Sequence, residues 1–117
     1  MATKKQIRDR DETIAQFCAH VQARGLGVPI DMIIKDVDWL HRQETTLHRL
    51  AETACNRELT DAEIKKQATI ESRVSALLGC YDIPVRFEGD PRGGTIRMRF
   101  ASGASNNWGG EDWGIYW

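Results

Sequence analysis

The spacing of apolar residues in this chain changes once, near Ile83, from a period of 3.6 to a period of 2. Before that point three helices are predicted, and after it short strands. Because helices and strands are segregated along the chain, an α+β fold is expected. With 117 residues there is room for one domain, helical over 1–80 and β over 81–117.

The first helix carries Ile7, Ile14, Phe17, Cys18 and Val21 on one face and stops at Gly25. After the punctuated link Gly-Leu-Gly-Val-Pro (25–29), Pro29 suits the first turn of a second helix. Its stripe runs Ile30, Ile33, Ile34, Val37, Leu40, Leu47, Leu50, Ala51, Ala54, Cys55 and ends near Glu58, a helix of about 42 Å. Thr60 followed by Glu63 is a capping box, and it opens a third helix through Ile64, Ala68, Ile70, Val74, Leu77 and Leu78 to Gly79. A connection this short makes the second and third helices an antiparallel hairpin. A helix of that length exceeds the width of a compact domain of this size, so the hairpin either projects or packs on copies of itself; self-association is expected.

Beyond Ile83, Val85 and Phe87 alternate with Arg86 and Glu88, and Ile96, Met98 and Phe100 alternate with Arg97 and Arg99. This is a β-hairpin with an apolar face toward the helices and a polar face outward. The turn Ala-Ser-Gly-Ala (101–104) is expected to return the chain as a third short strand around Ser105 to Trp108, completing a small antiparallel meander.

Alternation places Arg86, Arg97 and Arg99 on one side of paired strands, with Arg92 in the loop Gly-Asp-Pro-Arg-Gly-Gly (89–94) at the sheet's end. Guanidinium forks match phosphate and carboxylate oxygens in pairs, and the loop amides can cradle an anion. The same pattern also serves as a solvated outer face. The loop is not a phosphate-binding P-loop, lacking the Lys-Ser/Thr pair and a following helix. Trp108, Trp113, Tyr116 and Trp117 crowd the last ten positions. They suit a stacking pocket with Asn106 and Asn107, an interface anchor, or closure of a small core.

The charge count of 16 Lys+Arg against 17 Asp+Glu, a net of −1, argues against both a non-specific nucleic-acid coat and an acidic mimic of DNA. No catalytic motif appears, and a non-enzyme without cofactor is expected. His41, Glu44 and His48 share a helix face, which reads as a polar layer setting helix register, a plain surface or part of a metal site; no metal is expected. Cys18, Cys55 and Cys80 read as small buried hydrophobes in a reducing compartment, the alternatives being a catalytic thiol or a metal ligand. With no apolar run of membrane length and no apolar leader behind the opening MATKKQIRDRDET, a cytoplasmic location is expected.

The stretch VRFEGDPRGGTIRMRFASGASNNWGGEDWG resembles small proteins encoded by bacteriophages and prophages. These share an apolar strand, a GDPRG loop, a second strand, a Ser-Gly turn and an Asn-x-Trp-Gly-Gly tail. The matching positions are Phe87, Gly89 to Gly93, Ser102, Gly103, Asn106 to Gly110, and Trp113 with Gly114, about a third of the chain. The resemblance implies a phage origin, hence the cytoplasm of an infected bacterium. A helical hairpin followed by a small antiparallel sheet also resembles, in architecture, phage anti-defence sponges. Those are oligomeric, non-enzymatic proteins that sequester nucleotide immune signals. That likeness implies a small anionic nucleotide ligand, and Arg97, Arg99, Asn107 and Trp108 are of the types such a site uses. The expected site has Arg86, Arg97 and Arg99 on phosphate, assisted by Arg92 and the loop amides, and Asn107, Trp108 and Trp113 around a base. The alternative is a protein–protein inhibitor of a host defence or regulatory complex, as anti-CRISPR proteins are, with the aromatic tail as its hot spot.

Overall fold

The computed structural model describes residues 4–89, 94–100 and 113–114, the side chains of 4–8 and 113–114 excepted. The order is α1 (Lys4–Arg24), α2 (Ile30–Asn56), α3 (Asp61–Cys80), β1 (Val85–Phe87), β2 (Ile96–Met98) and β3 (Trp113–Gly114). The strands form one antiparallel sheet in the order β1-β2-β3. The fold is α+β, a helical hairpin followed by a small sheet. A third strand lies at Trp113–Gly114, and the strand expected around Ser105 to Trp108 falls outside the described residues.

Three helix ends have a clear local cause. The amide of Leu26 bonds the Val21 carbonyl at 3.1 Å and that of Gly25 bonds Gln22 at 3.2 Å, with Gly25 at φ 64°. This is a Schellman closure, and glycine takes the left-handed position without a Cβ clash. The same pattern ends α3: Ile83 N–H reaches the Leu78 carbonyl at 2.9 Å and Asp82 N–H reaches Gly79 at 3.0 Å. Here the left-handed residue is Asp82, at φ 56°, while Gly79 stays inside the helix. The capping box of α3 is complete, with Glu63 N–H on the Thr60 hydroxyl at 3.2 Å and Thr60 N–H on Glu63 Oε1 at 2.9 Å. Arg57 adds a two-pronged grip on the same carboxylate at 2.8 and 2.9 Å. Hydrogen bonds from Arg57 and then Thr60 hold the Glu63 carboxyl down to about 2.

At 27 residues α2 is about 40 Å long and matches the 43 Å long axis of the molecule. Its inner face, Ile33, Val37, Leu40 and Leu47, packs with Phe17 and Val21 of α1, Ile70, Val74 and Leu78 of α3, and Ile96, Met98 and Phe100. Phe17 meets the rings of Tyr81 and Phe100 edge-on, both at 5.3 Å between centroids. Tyr81 ties three segments at this point. Its carbonyl bonds the buried His20 ring at 2.8 Å and its hydroxyl donates to Asp36 at 2.5 Å.

Alternation in β2 matches the sequence pattern, since Ile96, Met98 and Phe100 are buried and Arg99 is exposed. Two expectations of burial fail. Cys55 and Cys80 are exposed, and only Cys18 is half-buried, its thiol pushed up by burial. Ile30 and Ile64, both on predicted apolar stripes, are 51% and 53% exposed. Ile30, Cys55 and Ile64 lie in the first or last turns of α2 and α3, where the apolar stripes run past their cover, whereas Cys80 is two residues, about 200° around the helix, from the buried Leu78 and faces out. No helix of the described residues is long and apolar enough to cross a membrane.

Candidate anion-binding face

The outer face of the sheet is built by register. Arg86 of β1 stands directly opposite Arg97 of β2, flanked by the pairs Val85–Met98 and Phe87–Ile96. Arg99, two residues on, holds the same side while its amide bonds the Pro84 carbonyl at 3.2 Å. The structure therefore brings together three of the predicted site residues. Opposite Arg97 on the other flank stands Gly114 of β3, which brings no side chain. Trp113 stands opposite Met98 in the same strand. Arg92, Asn107 and Trp108 lie outside the described residues.

Glu88, which the alternation of β1 marks only as an outward residue, joins the arginines. Arg86 donates to its Oε1 at 2.8 Å and Arg97 Nε to its Oε2 at 3.2 Å. Burial would raise this carboxyl, but the hydrogen bonds from Arg97 and Arg86 prevail and hold it below the usual carboxylate range. One carboxylate thus spans the two guanidinium groups as a phosphate would, and it marks their spacing as suited to a two-oxygen anion. Glu88 also borders a cavity of about 100 Å³ whose walls include Leu47, Leu50, Ala54 and Phe87. The arginine face and an apolar recess therefore share a rim.

Glu44 positions this site from beneath. It is 2% exposed, on the core side of α2 between Leu40 and Leu47. Its carboxylate accepts from Thr95 N–H at 2.8 and 3.0 Å, from the Thr95 hydroxyl at 2.7 Å and from Ile96 N–H at 2.8 Å. Desolvation raises the pKa of Glu44, and the bonds from Thr95 and Ile96 moderate the rise. The polar face of His41, Glu44 and His48 is therefore split. Glu44 sets the register of β2 against α2 rather than that of helix against helix, and His48 pairs with Glu52 at 3.1 Å. Among the described residues no group of His, Cys, Asp or Glu is placed to hold a metal ion. An acid at a core position of a helical stripe was the available signal for Glu44; its partner, a threonine 51 residues away, was not.

No known family, no curated protein and no solved structure matches this chain.

Proposed function

We propose that this chain is a non-enzymatic phage accessory protein that sequesters a small anionic nucleotide signal on the outer face of its sheet. The observation that carries the reading is the cross-strand pair Arg86–Arg97, bridged by one carboxylate, with Arg99 beside it. Phosphate oxygens take the place of the Glu88 carboxylate between Arg86 and Arg97, and Arg99 adds a third guanidinium. In this reading Arg92 assists at the phosphate and Asn107 with Trp108 hold the base, whereas Trp113 pairs in register with the buried Met98, not with the arginines, and is left out of the site. Self-association through the helical hairpin belongs to the same proposal, supported by Ile64, which stands exposed on α3.

The test is calorimetric titration with a panel of cyclic and linear nucleotides, with native mass spectrometry for the assembly. A member of the panel binds the wild-type chain, and Arg97→Ala with Arg99→Ala abolishes that binding while thermal stability stays nearly intact. Unchanged affinity in the double variant, or no binding across the panel, sinks the nucleotide reading. A second reading, inhibition of a host protein complex, is favoured by exposed Leu26, Ile30 and Met32 at the α1–α2 link. Ile30→Asp with Met32→Asp then abolishes inhibition and spares nucleotide binding.

A further inference from the structure

The balanced charge total conceals an uneven distribution. Lys35, Arg42 and Arg49 follow one another at seven-residue steps on α2, so they form one line about 21 Å long on a single face. Beside that line, between α2 and α3, runs an open groove of about 500 Å³ lined by Gln43, Thr46, Lys65, Lys66, Thr69 and Arg73. All six cations of the line and the groove are exposed, and none is in an ion pair with a described residue. Asp38, the acid whose charge reaches Arg42, is already held by Arg10 through two hydrogen bonds at 2.7 and 3.0 Å. No acid lines the groove.

From this arrangement we infer that the exposed face of the α2–α3 hairpin binds the phosphate backbone of a nucleic acid, independently of the arginine face of the sheet. The ligand must be polyanionic, because the cations repeat along two helices instead of converging on one point. It needs no apolar anchor, because the groove offers only Ala62 and the buried Ile70 beneath its polar lining, whereas protein partners are held by large side chains in pockets. A second copy of this chain is disfavoured on this face, since a two-fold contact would set cations against cations. Ile64, the residue that supports self-association, lies on the side of α3 away from Lys66, two residues or about 200° around the helix. Binding of this kind is independent of base sequence and steeply salt-dependent, because each neutralised phosphate releases counterions.

The experiment is fluorescence anisotropy of a labelled 20-base-pair DNA duplex titrated with the full chain between 50 and 200 mM KCl. Binding is expected, with log K falling linearly against log salt by about 0.9 per phosphate contacted. Lys65→Ala, Lys66→Ala and Arg73→Ala together reduce that slope by about 3 and weaken binding at least tenfold at 50 mM KCl, with circular dichroism and melting temperature unchanged. Arg97→Ala with Arg99→Ala leaves duplex binding as in the wild type, which separates this surface from the nucleotide site. The inference is overturned by absence of binding at 50 mM KCl, by an unaltered slope in the triple variant, or by loss of binding in the sheet variant. It is likewise overturned if labelled polyglutamate of equal charge binds as tightly as the duplex, which would assign the face to acidic protein segments.

Discussion

Glu44, at the middle of α2, and Thr95, at the foot of β2, are 51 residues apart in sequence and share three hydrogen bonds in the core. The contact explains why β2 begins where it does. The carboxylate satisfies two amides at the strand's start, those of Thr95 and Ile96. It also fixes which residues of β2 face inward. Shifting the strand by one residue would turn Arg97 into the core and Ile96 outward. The arginine face is thus set from the opposite side of the sheet by an acid.

Truncation of this acid is expected to be severe. Glu44→Ala strands the Thr95 and Ile96 amides without an acceptor at a buried position and costs about 3–5 kcal/mol, read by urea denaturation. Glu44→Gln keeps one acceptor oxygen and costs about 1–2 kcal/mol. A loss in the alanine variant no larger than that of a surface substitution would show that the contact does not hold the strand.

The pH dependence separates two carboxyls. Burial raises the Glu44 pKa above its ordinary 4.5, so the folded state holds the proton more tightly than the unfolded chain. Stability therefore falls as pH rises from about 4.5 through the raised value, and Glu44→Gln flattens that decline. Glu63 behaves oppositely, held down to about 2 by Arg57 and Thr60. Its contribution is full above 4.5 and is lost as pH falls toward 2, a loss it shares with Asp38 and Glu88, whose carboxyls also lie below the usual range. Glu63→Gln reduces the acid-side loss without touching the decline above 4.5. Melting temperatures between pH 2 and 7 for the three proteins test both signs.

A third substitution acts on the backbone. Asp82 occupies the left-handed position that ends α3, where a Cβ is strained. Its pair with Arg24 at 3.1 Å is solvent-exposed on both sides and contributes a few tenths of a kcal/mol at most. Asp82→Gly is accordingly expected to stabilise by about 0.5–1 kcal/mol, a rise of a few degrees in melting temperature, and Asp82→Val to destabilise by more than that. Equal stabilities for aspartate, glycine and valine at this position would remove strain as the explanation.

Local rules made most of the architecture legible. The capping box Thr60–Glu63, the stop at Gly25 and the alternation of Ile96, Met98 and Phe100 each depend on residues within a few positions of one another, and each is present. What could not be read were pairings across the chain. Asp82 rather than Gly79 turns the end of α3 because the Ile83 amide closes onto Leu78, a geometry that two glycine-free residues do not advertise. Glu44 looks like an interruption of a helical stripe until Thr95 is brought against it. At the site, alternation aligned Arg86, Arg97 and Arg99, but only the register of β1 on β2 shows Arg86 opposite Arg97 with Glu88 between them.

That bridging carboxylate makes the last prediction. Glu88 holds the Arg86 and Arg97 guanidinium groups at the separation an incoming phosphate needs, and it also occupies the positions that phosphate oxygens would take. Removing its charge while keeping its shape should free the site without disordering the strand. Glu88→Gln is therefore expected to bind anions about fivefold more tightly, roughly 1 kcal/mol, the scale of one unit charge at about 4 Å in a solvated setting. Glu88→Ala gains less, because the arginine side chains lose the partner that orders them. Titration of both variants with inorganic phosphate at fixed ionic strength, followed by melting temperature, measures the order. If Glu88→Gln binds phosphate no better than the wild type, the carboxylate is not standing in for an anion and the arginines serve only to dress the sheet's outer face.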